Sequence, residues 1–389
     1  MNVSGQKIPF TEDAEHVGVL RSTEGNIKHI MDRLTAHRRA IAAVTPLGLQ
    51  RRRRINPAAS IRIQKIYGAP VLLCGIPSLI LKESEVSLVH NYWKRTIQQH
   101  LKLPDSTPHC VVAFLGGTLP GTAEIHLRQL GLFGMISRMP GSVLQQHATS
   151  SLVNAQRSAN SWFQHIRNLC LAYKLPHPLT ILEYPPTKNR FKSLVKSSII
   201  DYWEKKYRNE VSKLGSLMYF KPEYMSLQKP HRIFTSCESN SFEVHKAFIV
   251  AKMLSDRYLT DWLQRHWTSN KAGDCLLPGC VSLHIPGTLE HLLLFCPSLY
   301  AKRLVLLKLA MKISQEHPAL QAILTEFSSS VNPQSCMQLL LDCTAIPSVV
   351  RASQIFGSHI MNRLLYFART WVYNVHRERV TQLGLLSFR

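Results

Sequence analysis

The spacing of apolar residues changes near residue 25, and this change separates two kinds of predicted secondary structure. Before it, the short runs Lys7–Phe10 and Val17–Leu20 flank a polar stretch, which predicts a β-hairpin. After Gly25 the apolar positions recur every three or four residues from Ile27 to Ile41, which predicts an amphipathic helix. The other faces of that helix carry lysines and arginines.

Most of the remaining chain has helical periodicity. The clearest helix follows Ser84, which is placed to cap it, and its apolar stripe runs over Val86–Leu101. Helices are also predicted over Thr122–Met139 and over Lys188–Lys213, where basic and aromatic residues are interleaved. The C-terminal tail adds two or three more. The chain is therefore predicted to be mostly α, with a short N-terminal β-hairpin.

The charge balance points to a polyanionic partner. The 389 residues include 47 lysines and arginines against 24 aspartates and glutamates, which gives a net charge of +23. A protein that neutralises phosphates releases condensed counterions, so a surplus of this size favours binding to nucleic acid. A basic surface that serves only solubility is the alternative.

Cysteine content and hydropathy indicate a reducing compartment. The first 13 residues contain no cationic patch followed by an apolar run, so no secretory signal is predicted. The longest apolar run, Gly68–Leu81, is too short for a membrane span and is broken by Pro70 and Pro77. Nine cysteines, an odd number, are typical of thiols or metal ligands rather than of a disulfide framework. We predict a cytoplasmic or nuclear protein with no membrane partner.

The strongest local motif is a group of cysteines and one histidine near residue 285. Cys275 and Cys280 flank a Leu-Leu-Pro-Gly turn, and His291 and Cys296 follow with the same spacing. Zn²⁺ prefers four soft or borderline ligands in a tetrahedron, so the motif predicts a structural zinc site with no open position. Buried thiols in an apolar helix are the alternative, and His284 and Asp274 are possible substitute ligands.

Signatures of catalysis are missing from the sequence. Adjacent aspartates, which would hold Mg²⁺ for nucleotidyl transfer, do not occur. Asp201, Glu204 and Lys206 have the residue types of a nuclease site, but they fall on the predicted basic helix, where a solvated face is the simpler interpretation. No catalytic residue is predicted.

Several segments resemble the reverse transcriptases of non-LTR (LINE-type) retrotransposons. In Ile55–Gly75, a helix ending in a tyrosine leads into Pro-Val-Leu-Leu-Cys-Gly, which is similar to the thumb region of that family. Tyr92–Arg95 and Glu124–Leu130 resemble the same family in order and spacing, and Glu15–Leu20 looks like its primer-grip hairpin. The Cys/Cys/His/Cys group is similar to the zinc knuckle near the C-terminus of these proteins, although its first pair is more widely spaced.

The resemblance implies a domain organisation and a function. It implies five segments: a primer-grip-like hairpin (1–25), a thumb-like helical bundle (26–140), a basic helical linker (141–270), a zinc-knuckle-like module (271–300) and a helical tail (301–389). The fingers and palm, with the aspartates that bind Mg²⁺, would precede Met1. The chain is thus expected to be a nucleic-acid-binding part of an RNA-directed DNA polymerase, with RNA, DNA or a hybrid duplex as partner and the fingers and palm as a second partner. A truncated version of an active polymerase, or a host-adopted RNA-binding or partner-binding scaffold, are the alternatives.

The thumb of such a polymerase tracks the template–primer duplex through phosphate and sugar contacts. Basic residues on the predicted helices are therefore the candidate phosphate contacts, with solvated faces as the alternative. They are Lys28, Arg33, Arg38 and Arg39, then Arg51, Arg52, Arg53 and Arg54, and in the linker Lys188, Arg190 and Lys192.

Overall fold

The computed structural model is mostly helical, which confirms the predicted fold class. It describes residues 2–3, 6–7, 13–16, 19–22, 25–44, 55–154, 161–237, 240–264, 272–329 and 332–384. No single helix among them is long and apolar enough to cross a membrane, and two bent helix pairs reach that length and composition only together.

The N-terminal segment forms two short antiparallel ribbons. Strand β1 (Asn2–Val3) pairs with β2 (Gln6–Lys7), and β3 (Asp13–His16) pairs with β4 (Val19–Ser22). The predicted hairpin is present, but its strands differ from the prediction. The polar residues of β3 form a strand where a turn was expected, because ladder pairing uses backbone groups that every residue but proline supplies. The predicted strand residues Ile8–Phe10, with Val17 and Gly18, lie outside the described residues.

The chain divides into two compact units. Unit 1 comprises residues 1–52, 60–97 and 118–207, and unit 2 comprises residues 53–59, 98–117 and 208–389. The division falls inside three helices, so some helices belong partly to each unit. In chain order the helices are α1 (Ile27–Val44), α2 (Pro57–Ile63), α3 (Ala69–Leu72), α4 (Glu83–Leu101), α5 (His109–Gly116), α6 (Gly121–Ile136), α7 (Val143–Val153), α8 (Trp162–Ala172), α9 (Pro178–Glu183), α10 (Lys188–Ser212), α11 (Arg232–Thr235), α12 (Ser241–Leu254), α13 (Asp261–Gln264), α14 (Tyr300–Ser314), α15 (Pro318–Ser329), α16 (Pro333–Asp342), α17 (Pro347–Phe356) and α18 (Ser358–Gln382).

Helix α10 shows how sequence periodicity builds the core of unit 1. Within this unit, Phe191, Val195, Ile199 and Trp203 recur every four residues and are all buried. The indole Nε1 of Trp203 donates a hydrogen bond to the Tyr173 hydroxyl at 3.1 Å. Trp203 is therefore a core residue, and the lysines of the helix are exposed.

The start of α4 differs from the prediction by two residues and by its cap. The helix begins at Glu83, so Ser84 lies inside its first turn rather than at the cap. The Oε2 atom of Glu85 accepts hydrogen bonds from the backbone N–H of Lys82 at 2.8 Å and from the Asn26 side chain at 3.2 Å. The carboxylate of Glu85 thus caps the backbone N–H of Lys82, as the glutamate of a capping box does.

Helix α18 is the centre of unit 2. It packs against α12, α14, α16 and α17, and its buried face includes Phe367, Trp371 and Val375. Two buried arginines on this helix are paired: Arg369 with Glu243 at 3.3 Å, and Arg379 with Asp261 at 2.8 Å. A buried charge is tolerated only with such a partner, so these pairs fix α18 against distant parts of the sequence.

A close backbone contact at Gly117 in unit 2 gives a test of the fold. Gly117 ends α5 with φ of 56°, and a Cβ atom there would lie 2.0 Å from the Lys229 carbonyl carbon. We expect Gly117→Ala to lower the free energy of unfolding by about 2–4 kcal/mol, because both the backbone angle and the clash oppose a side chain. Gly131→Ala is the matched control, since the exposed helical Gly131 has open space around a Cβ. It should be neutral or stabilising by up to about 1 kcal/mol in the same denaturant titration. Equal destabilisation by both changes would contradict this structure.

Candidate metal centre and basic helix faces

Cys275, Cys280, His291 and Cys296 form one buried cluster in unit 2. One ligand atom from each lies within 4.8 Å of all the others. The Sγ of Cys280 is 3.5 Å from Nε2 of His291 and 3.4 Å from Sγ of Cys296. No other group of three or more such side chains comes this close within the part of the chain that the structure describes. These four residues could therefore hold a metal ion.

A tight turn brings the first two cysteines together. The backbone N–H of Cys275 donates to the Ile285 carbonyl, and that of Cys280 donates to the Leu277 carbonyl, both at 2.8 Å. Between them Gly279 donates its N–H to Ser298 Oγ at 2.8 Å, and a Cβ on Gly279 would lie equally close to that oxygen. The turn therefore needs a residue without a side chain where it meets the segment after Cys296.

A π-helical turn brings the second pair together. In an α-helix a residue five positions further on lies roughly 140° around the axis, so His291 and Cys296 would point apart. Residues His291–Phe295 instead form a π-turn, and the Cys296 N–H donates to the His291 carbonyl at 2.7 Å. The i→i+5 bond closes the turn one residue later and returns Cys296 to the side of His291.

Pro297 ends this turn. Cys296 has an extended backbone, with φ of −56° and ψ of 118°. The ring of a following proline disfavours helical angles in the residue before it. Pro297 therefore keeps Cys296 out of the helical conformation.

Burial and hydrogen bonds between the sulfurs shift the pKa values of the three thiols in the cluster. The Cys275 thiol, which donates to the Cys296 sulfur and is buried, has its pKa raised to about 12. The same hydrogen bond stabilises the Cys296 thiolate and lowers its pKa. Burial raises the pKa of Cys280. A metal ion that binds all three sulfurs must therefore displace protons, as divalent zinc does at thiol sites.

The two substitute ligands considered in the sequence lie outside the cluster. His284 is 82% exposed and its Nδ1 is 3.1 Å from Asp274 Oδ2, so the two side chains pair with each other on the surface. Neither belongs to the group of converging ligand atoms. The set of four ligands named from the sequence is the set that the fold brings together.

Side chains of helix α18, together with Asp261 of α13, support the cluster. The Trp371 Nε1 donates to the Leu293 carbonyl and the Gln382 side chain to the Ser298 carbonyl, both at 3.2 Å. Asp261, which pairs with Arg379, also accepts a 3.4 Å hydrogen bond from the Leu276 N–H. The metal-binding loop is therefore built into unit 2, and these supports have no signal in the local sequence.

The candidate phosphate contacts on α1 differ in their surroundings. Lys28, Arg38 and Arg39 are exposed, whereas Arg33 is partly buried and pairs with Asp32. The guanidinium of Arg38 lies 5.6 Å from the centroid of the Tyr92 ring, a cation–π contact within unit 1. Arg38 and Arg33 thus have intramolecular partners that a phosphate would have to replace or share.

The candidates on α10 are more open. Lys188, Arg190 and Lys192 are exposed, and none of them forms an ion pair with another described residue. With Lys196 they give the first half of α10 four cations and no carboxylate. The predicted contacts Arg51, Arg52, Arg53 and Arg54 lie outside the described residues.

Comparisons of the chain with protein-family models, with curated proteins and with solved structures found no match. They assign no family, and the resemblance to reverse transcriptases remains a prediction that rests on the quoted residues.

Proposed function

We propose that this chain is a nucleic-acid-binding protein whose metal centre holds a structural zinc ion. We further propose that it is the C-terminal part of a non-LTR type reverse transcriptase, acting in the cytoplasm or nucleus on RNA, DNA or a hybrid duplex. Because the sequence has no adjacent aspartates, polymerisation is not assigned to this chain. In the parent polymerase, Mg²⁺ would belong to the palm.

The basic half of α10 is the observation that carries the nucleic-acid proposal. One side of this helix is buried in unit 1, and the other presents four cations without a carboxylate between Lys188 and Ile200. A rigid helix holds such cations in fixed register, which suits a regular series of phosphates. The net charge of +23 also favours binding to nucleic acid.

The chemistry of the four ligands supports zinc. Ligand atoms about 2.0–2.3 Å from a central zinc lie roughly 3.5–3.8 Å from each other in a tetrahedron. The measured separations of 3.4 and 3.5 Å around Cys280 are close to these values. Four buried protein ligands leave no position for a substrate, so the ion would stabilise the fold around the Cys/His cluster.

Fluorescence anisotropy with a labelled RNA–DNA hybrid, repeated over a salt series, tests the nucleic-acid proposal. We expect tight binding at low salt and a steep negative slope of log affinity against log salt. The double variant Arg190→Gln/Lys192→Gln should bind more weakly and lose about 0.9 from the magnitude of the slope for each phosphate contact removed.

The variant Lys308→Gln/Lys312→Gln is the charge-matched control. Both lysines are exposed on α14 in unit 2, and their removal changes the net charge equally. It should keep nearly the full slope. Identical slopes for the two double variants would show that α10 is not the contact surface, and absence of binding by the folded wild type would overturn the proposal.

A further inference from the structure

A buried arginine lies next to the metal centre without a hydrogen-bond partner for one of its nitrogens. Arg303 is in the first turn of α14, seven residues after Cys296, and only 8% of it is exposed. Its Nη1 atom is buried and has no hydrogen-bond partner among the residues that the structure describes. The guanidinium also borders a cavity whose wall includes Leu294, Phe295 and Trp371, which offer it no anion.

Such an arrangement is unfavourable unless a negative charge compensates it. A guanidinium stays protonated inside proteins, so Arg303 cannot relieve the cost of burial by losing its proton. Burial lowers the pKa of Arg303, and the negative charges that oppose this shift are those of the Cys296 and Cys280 sulfurs and, more weakly, Tyr300. Among the described residues of unit 2, the buried Arg369 and Arg379 have carboxylate partners. Arg303 instead shares its cavity wall with Leu294 and Phe295, which belong to the π-turn between the ligands His291 and Cys296.

We propose that Arg303 is the counter-charge of the metal centre. A divalent zinc ion bound by three thiolates and a neutral imidazole carries a net charge of about −1. With the guanidinium beside it, the buried assembly is neutral. Arg303 is not a ligand, because it has no lone pair to donate. It acts by offsetting the negative charge of the metal-bound ligand set.

This inference rests on the proposed zinc site. It predicts that removing the Arg303 guanidinium changes the stability of the protein in opposite directions with and without bound metal. In the metal-bound protein the guanidinium offsets negative charge, so its removal is destabilising. That negative charge belongs to the metal-bound ligand set, so in the metal-free protein the guanidinium is a poorly compensated buried charge. Replacing it with an apolar side chain of similar length should then be neutral or stabilising. If Arg303 acted only by packing, its replacement would destabilise both the metal-bound and the metal-free protein.

The test uses the full-length wild type, Arg303→Met and Arg303→Lys, with Lys308→Met as the control on the exposed side of the same helix. Zn²⁺ affinity is measured by competition with a chromogenic chelator, and Co²⁺ substitution gives the thiolate-to-metal absorption of the site. We expect a 10- to 100-fold weaker Zn²⁺ affinity for Arg303→Met, of the order seen for outer-shell partners. Arg303→Lys should be intermediate because it keeps the charge but not the planar fork, and Lys308→Met should match the wild type.

Thermal unfolding of each protein with excess Zn²⁺ and with excess chelator completes the test. Arg303→Met should unfold at a lower temperature than the wild type with Zn²⁺, and at the same or a higher temperature with chelator. Equal Zn²⁺ affinity in the wild type and Arg303→Met, or equal destabilisation in both conditions, would overturn the role of Arg303 while leaving the zinc site intact. A wild type that takes up no stoichiometric Zn²⁺ or Co²⁺ would overturn the zinc site itself. If Arg303→Met does not fold, the affinity of Arg303→Lys decides: wild-type or stronger affinity would overturn the proposal.

Discussion

Replacing Cys280 with serine should abolish stoichiometric zinc binding and strongly destabilise unit 2. Cys280 is fully buried and its sulfur contacts both His291 and Cys296, so serine leaves three ligands and a hydroxyl in a site built for sulfur. A ligand that binds only the native state stabilises it by about 4 kcal/mol when its free concentration is a thousandfold above Kd. The variant should lose a contribution of that order. Metal analysis by mass spectrometry and thermal unfolding over a Zn²⁺ series measure both effects.

Cys74→Ser is the matched control for this experiment. Cys74 is the one exposed thiol among the nine cysteines, and it belongs to unit 1, whereas the cluster belongs to unit 2. The control should bind one zinc ion per chain and retain an unfolding temperature that rises with Zn²⁺. A Cys280→Ser protein that still carried one zinc ion per chain would rule out this cluster as the metal site.

The stability of the protein should fall sharply between pH 6.5 and pH 4 because two partly buried histidines must remain neutral. Burial lowers the pKa of His90 and of His126 in unit 1 to about 4, from an ordinary value of 6.5. The unfolded chain therefore takes up protons that the folded chain resists. The stability is fully present above pH 6.5 and is lost as the pH falls toward 4. For each histidine the loss is about 2 kcal/mol at pH 5 and on the order of 3 kcal/mol once both states are protonated.

The local contacts of His126 explain why it resists a proton. Nδ1 of His126 lies 2.7 Å from the Tyr173 hydroxyl, which also accepts a hydrogen bond from Trp203. Burial is the main cause of the lowered pKa of His126, and the nearby His165 ring lowers it further. Replacing His126 by glutamine removes the titration and retains an acceptor for Tyr173.

Urea unfolding at pH 7.5 and pH 5.0 measures this effect. Between these two conditions, His126→Gln should lose about 2 kcal/mol less than the wild type does. Comparing the two proteins cancels the acid sensitivity that both share through the metal-binding thiols. His284→Gln, which changes an exposed histidine, should keep the wild-type pH dependence. If His126→Gln lost as much stability as the wild type, His126 would not be a source of acid sensitivity.

Sequence periodicity predicts the helices well where one face is buried and the other is basic. In α10 the apolar residues from Phe191 to Trp203 recur every four positions, and the helix was predicted to within one residue of its end at Ser212. Helix starts are harder to predict, because several polar residues compete to cap them. At α4 the sequence suggests Ser84, and the structure uses Glu85, which also binds Asn26 across 59 residues of sequence. The β3 strand was missed because its polar residues carry no apolar alternation.

The ligands of the metal centre could be predicted, but their supports could not. Cysteine and histidine are few and chemically distinctive, so their spacing near a Pro-Gly turn is informative. The Asp261–Arg379 pair joins residues 118 positions apart, and Arg303 is one of many arginines in a basic chain. Only the fold makes these residues neighbours.

The π-turn between His291 and Cys296 changes what an insertion or deletion would do at this site. A π-turn is an α-turn that has absorbed one extra residue. Two ligands separated by three intervening residues on an α-turn therefore point in nearly the same direction. Two ligands separated by four intervening residues on a π-turn do the same. Loss of one residue from the stretch Leu292–Phe295 would convert the turn and leave the ligand geometry almost unchanged, whereas loss of two would rotate Cys296 away. The loss of a single residue should thus be tolerated here, and similar metal sites should occur with either spacing when the second ligand is followed by proline.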